Sequence, residues 1–230
     1  MDFLLMNQGF PLLSVLIFLP LFGALVAMFV PSESAARLWS LAITTVTALI
    51  SLPLYSGFDL TTAKYQFAEH HPWIPAWNIN YTVGADGISL LLILLTTLIM
   101  PFCILASWRY ISKRVKEFMV CMLALECTMI GVFAALDFVL FYVFWEAMLI
   151  PMYLIIGIWG GPRKVYASIK FFIYTLAGSV MLLVAIIALY LSAAPHSFSI
   201  PALMGGSHSS LFQILVFLAF FVAFAIKVPM

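Results

Sequence analysis

Seven runs of roughly twenty predominantly apolar residues divide this chain, and they constrain its fold more than any other feature. They cover about Leu12 to Val30, Leu38 to Ser56, Ile88 to Trp108, Phe118 to Leu136, Phe138 to Trp159 and Tyr166 to Leu191, with a last run starting near Leu211. A helix rising about 1.5 Å per residue crosses the hydrocarbon core of a bilayer in about 20 residues. It also satisfies its own backbone hydrogen bonds, which lipid cannot do. The pattern therefore predicts an all-α polytopic transmembrane helix bundle. Composition agrees, because the chain is 65% hydrophobic and only 8% charged, with mean hydropathy +1.17. A soluble domain carries about 25% charged residues. So few charges cannot cover a water-exposed surface of 230 residues. A net charge of +1 supplies no basic face for nucleic acid.

The first run has no basic segment before it and is too long for a signal-peptide core, so it reads as a retained span. Orientation follows from the loops. Arg37, Arg109, Lys113, Arg114, Lys116, Arg163 and Lys164 fall on one side, against Lys64 alone on the other. The positive-inside rule makes the first side cytoplasmic and places the N-terminus outside. The longest loop, residues 57–84, then lies outside. Its His70–His71 pair has no third ligand at useful spacing and reads as part of a solvated loop, with Trp73 and Trp77 at the lipid interface. Cys103, Cys121 and Cys127 sit in apolar runs without CxxC pairing, which suits inert buried thiols. Asp137 marks an almost absent turn between spans four and five, so these two form a tight antiparallel hairpin. The chain ends at Met230 within an apolar run, which suggests that further spans follow.

Four ionisable residues lie inside the spans: Glu126 in the fourth, Glu146 in the fifth, Lys170 in the sixth and Lys227 in the seventh. Each charge at mid-bilayer costs about 2.5–3.5 kcal/mol, so most should face the bundle interior and have partners. Glu146 lies roughly 12 Å from the outer end of its span and Glu126 roughly 14 Å from the inner end of its own. Neither can easily reach water. Lys170 lies only about 6 Å from the inner end, within reach of the headgroups by its long stem. Pro151, five residues after Glu146, removes the donor for the Ala147 carbonyl. Pro229, two residues after Lys227, does the same for Ala225 and biases Val228 away from helix. Broken spans are tolerated where they are buried in protein or line a wet cavity. A Glu and a Lys in low dielectric favour each other's charged forms, and separating them favours the neutral ones. Coupled groups of this kind can load and release protons. A cluster that merely fixes helix packing is the alternative. Motifs of soluble enzymes such as GxGxxG, GxSxG and HExxH are absent.

Several stretches carry a resemblance. They are Gly84-Ala85-Asp86-Gly87-Ile88-Ser89-Leu90, Ala135-Leu136-Asp137, Phe144-Trp145-Glu146 and Leu149-Ile150-Pro151-Met152-Tyr153. Ile169-Lys170-Phe171-Phe172-Ile173-Tyr174 and Phe224-Ala225-Ile226-Lys227-Val228-Pro229 belong with them. Together these resemble the antiporter-like membrane subunits of bacterial proton-pumping NADH:quinone oxidoreductase, respiratory complex I, which are related to multisubunit cation/proton antiporters. The resemblance covers nearly the whole chain. It implies an antiporter-like fold cut off in a discontinuous seventh helix. Residues 1–116 would form a three-span region with its outer loop at 57–84, and residues 117–230 the first part of an inverted-repeat unit. Glu146 matches the family's essential glutamate, Lys227 its key lysine on the broken helix, and Lys170 a connecting lysine. Glu126 matches no assigned role and is a possible part of the proton path. NADH, FMN, iron–sulfur clusters and quinone would belong to partner subunits, with no cofactor or metal in this chain. The implied partners are other complex I membrane subunits, neighbouring antiporter-like ones among them, and membrane lipids, in a bacterial inner membrane. A subunit of a cation/proton antiporter without redox function is the alternative.

Overall fold

The computed structural model of the chain describes residues 4–6 and 10–228. All seven predicted spans are helical. They are α1 (Leu12–Phe29), α2 (Glu33–Ser56), α3 (Gly87–Tyr110), α4 (Val115–Ala134), the pair α5 (Phe138–Ala147) and α6 (Leu149–Trp159), and α7 (Lys164–Ser192). After the short α8 (Ile200–Leu203) comes α9 (Ser210–Lys227). The chain is thus a multi-pass membrane protein.

Local chemistry sets where the helices begin. The Ser32 hydroxyl accepts from Ala35 N at 3.1 Å and starts α2. Asp86 Oδ1 accepts from Ile88 N at 3.1 Å and Ser89 N at 2.7 Å, and Ser89 Oγ accepts from Asp86 N at 2.8 Å. This reciprocal capping box explains why Asp-Gly-Ile-Ser opens α3. Asp137 Oδ1 accepts from Val139 N at 2.9 Å and Leu140 N at 3.3 Å and starts α5 two residues after the Ala135 cap of α4. The short turn predicted between spans four and five is therefore present.

The helix of the fifth span is interrupted at Met148, three residues before Pro151, although Met148 keeps helical backbone angles. Pro151 has no N–H to offer the Ala147 carbonyl, and the neighbouring Met152 N to Met148 O bond stretches to 3.4 Å. The seventh span stops at Lys227, and Val228 is extended at φ −95° and ψ 94°. Pro229, expected to break this helix, lies outside the described residues.

The segment read from sequence as a solvated loop is instead largely folded. Strands β2 (Tyr65–Ile74) and β3 (Ile79–Ala85) form an antiparallel hairpin, and β1 (Leu4–Met6) adds in parallel to β2. The hairpin turn runs through Pro75–Trp77 to Asn78, which takes φ 54°, a left-handed conformation that Asn tolerates better than most residues. Trp73 and Trp77 at the tip are exposed, whereas Gln66, Ala68, Glu69 and Val83 are buried. The backbone explains the difference. Leu136 N donates to Thr82 O at 2.9 Å, Phe138 N to Phe198 O at 2.9 Å and Ile200 N to Leu136 O at 2.9 Å. The hairpin and the 198–200 segment are thereby laced to the α4–α5 turn, as no freely solvated loop would be.

In the bundle, α4 is the most enclosed span, with α1, α2, α3 and α6 packed around it. Its Cys127, Ile130 and Ala134 join Leu13, Leu16 and Ile17 of α1 and Ile93 of α3 in the main apolar core. At the other edge α9 packs on α7, and among its residues only Ala223 is buried.

Candidate functional site

Lys227 and Glu146 come together from different spans. The Lys227 amine donates to the backbone carbonyl of Trp145 at 2.8 Å and lies 4.2 Å from the centroid of the Trp145 ring. Glu146, the next residue along α5, lies within electrostatic reach of that amine. Yet the two do not touch: among the described residues the one ion pair within 4.0 Å is Arg114–Glu117 at the surface. Glu146 Oε1 is buried without a hydrogen-bond partner. Tyr142, one turn earlier on α5, interacts with the same carboxylate. The arrangement is a cation and an acid side by side in a poorly polar setting, each with bonding capacity to spare.

The other two intramembrane charges lie elsewhere. Glu126 is fully buried on α4, and neither carboxyl oxygen has a hydrogen-bond partner. It sits one turn from Leu123, which packs with Ala24, Ala27 and Ile43, and one turn from Ile130 in the main core. Burying a carboxyl without a partner is costly, so this position is not a neutral filler of the core. Lys170 does not face the bundle interior. It is exposed on α7, 5.7 Å from the Tyr166 ring centroid. It lines an open groove of about 550 Å³ together with Ile156, Arg163, Lys164, Tyr166 and Tyr174. Its position a turn and a half inside the start of α7 lets its stem reach toward the basic first turn of the helix. Within this chain it does not join the Glu146–Lys227 pair.

Two further buried carboxyls, Glu69 and Asp137, tie the hairpin to the spans, and of these the sequence points only to Asp137. Glu69 of β2 accepts from Leu13 N at 2.9 Å and from Ser14 N at 3.3 Å, and also binds the Ser14 hydroxyl. Tyr81 of β3 meets that same hydroxyl at 2.7 Å, and burial pushes its phenol up to about 12. A hairpin side chain thus caps the start of α1, satisfying amides that Pro11 leaves open. Asp137 accepts from Asn80 N at 3.2 Å as well as from its own helix, and His70 lies within electrostatic reach. Burial raises its carboxyl above the ordinary aspartate range, although these amides and His70 pull the other way.

The sequence also gave no sign of Trp145 as a ligand of Lys227. It stands in an apolar run, where an aromatic residue reads as core. Its adjacency to Glu146 was the only available signal.

Family models match both parts of the chain: "NADH-ubiquinone oxidoreductase chain 4, amino terminus" over residues 15–132, and "NADH:quinone oxidoreductase/Mrp antiporter, TM" over residues 135–230. NADH-quinone oxidoreductase subunit M of Rhodobacter capsulatus is 46% identical, over 95% of this chain and 46% of its own length. NADH-ubiquinone oxidoreductase chain 4 of Arabidopsis thaliana is 43% identical, over 95% and 44%. Among solved structures, a chain of respiratory complex I from Thermus thermophilus with bound NADH superposes with TM-score 0.81 at 29% identity, over 94% of this chain and 44% of that one. A chain of the Mrp complex from Dietzia sp. shares the fold, with TM-score 0.77 at 18% identity over 94% of this chain and 23% of that one. The chain spans about half the length of the curated relatives it matches.

Proposed function

This chain belongs to the NADH-ubiquinone oxidoreductase chain 4 family, and from that premise we propose that it is an antiporter-like, proton-translocating membrane subunit of respiratory complex I. The observation that carries the reading is the Glu146–Lys227 pair, an acid and a base from separate spans, close enough to feel each other and not in contact. In a poorly polar setting each favours the charged form of the other, so moving them apart or together changes where a proton rests. Glu146 and Lys227 would hold the proton in turn. Lys170 would connect the pair to the path beyond, and Glu126 would extend that path through α4.

NADH oxidation and quinone reduction would take place in partner subunits that hold FMN and the iron–sulfur clusters. Other complex I membrane subunits, neighbouring antiporter-like ones included, and lipids would surround this chain. The excess of Lys and Arg in the loops on one side supports an N-terminus outside, in what would be a bacterial inner membrane. Residues 1–116 would act as a supporting three-span region and residues 117–230 as the start of the transport unit.

The test is proton uptake driven by NADH in membrane vesicles carrying the assembled complex. Glu146→Gln and Lys227→Ala should each abolish pumping with assembly intact, and Lys170→Ala should impair it. Wild-type pumping in Glu146→Gln overturns the reading. The fold shared with an Mrp complex favours one second reading, a cation/proton antiporter subunit without redox function. Purification of the native assembly separates the two: flavin and iron–sulfur subunits travel with the chain on the first reading, and a colourless assembly appears on the second.

A further inference from the structure

The Lys227 amine is not aimed at its acid. It is seated on Trp145, with the backbone carbonyl at 2.8 Å and the ring centroid at 4.2 Å. The indole is itself immobilised from three elements. Its Nε1–H donates to Ser179 Oγ of α7 at 3.2 Å, and Ser179 is buried. Phe141 of α5 stacks at 5.5 Å between centroids, and Phe224 of α9 meets the ring edge-on at 5.3 Å. Trp145 is 6% exposed, so the ring face that takes the ammonium is dry, the setting in which a cation–π contact is strongest. Trp145 and Glu146 are successive residues of one helix, which directs their side chains about 100° apart. An amine held on the first is thereby held off the second.

We propose that Trp145 is a positioning residue that gives the Lys227 amine a second station, the ring and carbonyl of residue 145, from which it moves to pair with Glu146. The inference rests on the proposed role of that pair. Ion pairing and the Trp145 seat compete for one ammonium, so the lysine alternates between two defined places rather than collapsing permanently onto the carboxylate. Ser179 fixes the seat by fixing the indole.

The experiment has two arms in the assembled complex. In the first, tryptophans are replaced by 5-fluorotryptophan, and the Trp145 fluorine resonance is assigned by its loss in Trp145→Phe. Lys227→Met should shift that resonance, because the cation leaves the ring. Ser179→Ala should shift and broaden it. In the second arm, Trp145→Leu should slow NADH-driven proton uptake by about tenfold, the size expected for losing one cation–π contact in a dry site. Trp145→Phe, which keeps an aromatic face and the carbonyl, should recover uptake to within about threefold of wild type. If Trp145→Leu does not assemble, Ser179→Ala carries the second arm, with a smaller loss of uptake expected. A Trp145 resonance indifferent to Lys227→Met overturns the seat whatever happens to pumping. Trp145→Phe pumping no better than Trp145→Leu overturns the aromatic role. Normal pumping in Glu146→Gln would instead overturn the underlying reading and leave the fluorine result standing.

Discussion

Gly131 is the point at which a single methyl group should disturb the site from the opposite helix. It lies in the last turn of α4, and a Cβ built there would meet the Phe144 ring at 2.5 Å from Cγ and Cδ1 and 2.7 Å from Cδ2. Phe144 is buried, and its atoms in contact form the base of a ring rather than the free end of a flexible chain. The clash can be relieved only by moving Phe144 or by separating α4 from α5. Overpacking of this kind costs about 1–3 kcal/mol, and the severity of the contact puts Gly131→Ala toward the upper end. The better helix propensity of Ala returns up to about 1 kcal/mol, leaving a net loss of about 1–2 kcal/mol. For a chain of this size that lowers the thermal midpoint by about 2–8 °C. The assay is thermal unfolding of the detergent-solubilised complex, followed by retention of this chain after heating. Phe144→Leu removes the ring, so the double variant should be more stable than the sum of the two single losses by about 1 kcal/mol. Because Phe144 is two residues from Glu146, Gly131→Ala should also slow proton uptake. A wild-type midpoint for Gly131→Ala, or strict additivity in the double variant, refutes the reasoning.

Glu69→Ala removes the acceptor for two amides of α1, and leaving a buried donor unsatisfied costs about 1–3 kcal/mol. Protease with access to the 65–85 hairpin in the detergent-solubilised complex should then cut it faster, and an unchanged cleavage rate contradicts the clasp. Asp137→Ala loses a helix cap and the Asn80 contact, for a cost of about 1–2 kcal/mol read as a lower thermal midpoint. Burial raises the Asp137 carboxyl in the folded state, so the unfolded chain gives up that proton first. Its contribution is greatest below the ordinary aspartate value and falls as pH rises through the raised folded value. Asp137→Asn should flatten this part of the stability–pH profile, and an unaltered slope contradicts the burial argument. At the α7–α9 contact, a Cβ on Gly178 would press closest on the terminal methyl of Ile226 at 3.0 Å, the flexible end of that side chain, with its Cβ and Cγ2 in ordinary contact at 3.4 Å. Gly178→Ala should therefore assemble normally while Gly178→Leu displaces α9, with the loss read as reduced proton uptake.

The sequence by itself determined the seven spans and the four intramembrane charges. Hydrophobic runs report the membrane directly, because a lipid-facing surface and a buried one are both apolar. Caps at Asp86 and Asp137 are local, decided within three residues of backbone, and so are visible in the motif. Pro151 announced the interruption of the helix at Met148 for the same reason. The tertiary structure decided what lies between elements distant in the chain. Alternation of buried and exposed residues in 65–85 is interrupted by irregular pairing, so its sheet shows only once β3 meets the α4–α5 turn. Glu69 reads as a solvated loop acid until it is placed on the first turn of α1. Apolar spans carry little facing information, so only the packing shows that Glu126 is enclosed while Lys170 lies exposed in this chain. Lys227 was legible as an intramembrane charge, but its ligand was not. Only packing of α9 against α5 and α7 brings the ammonium onto Trp145, 82 residues away, and leaves it out of contact with Glu146 beside it.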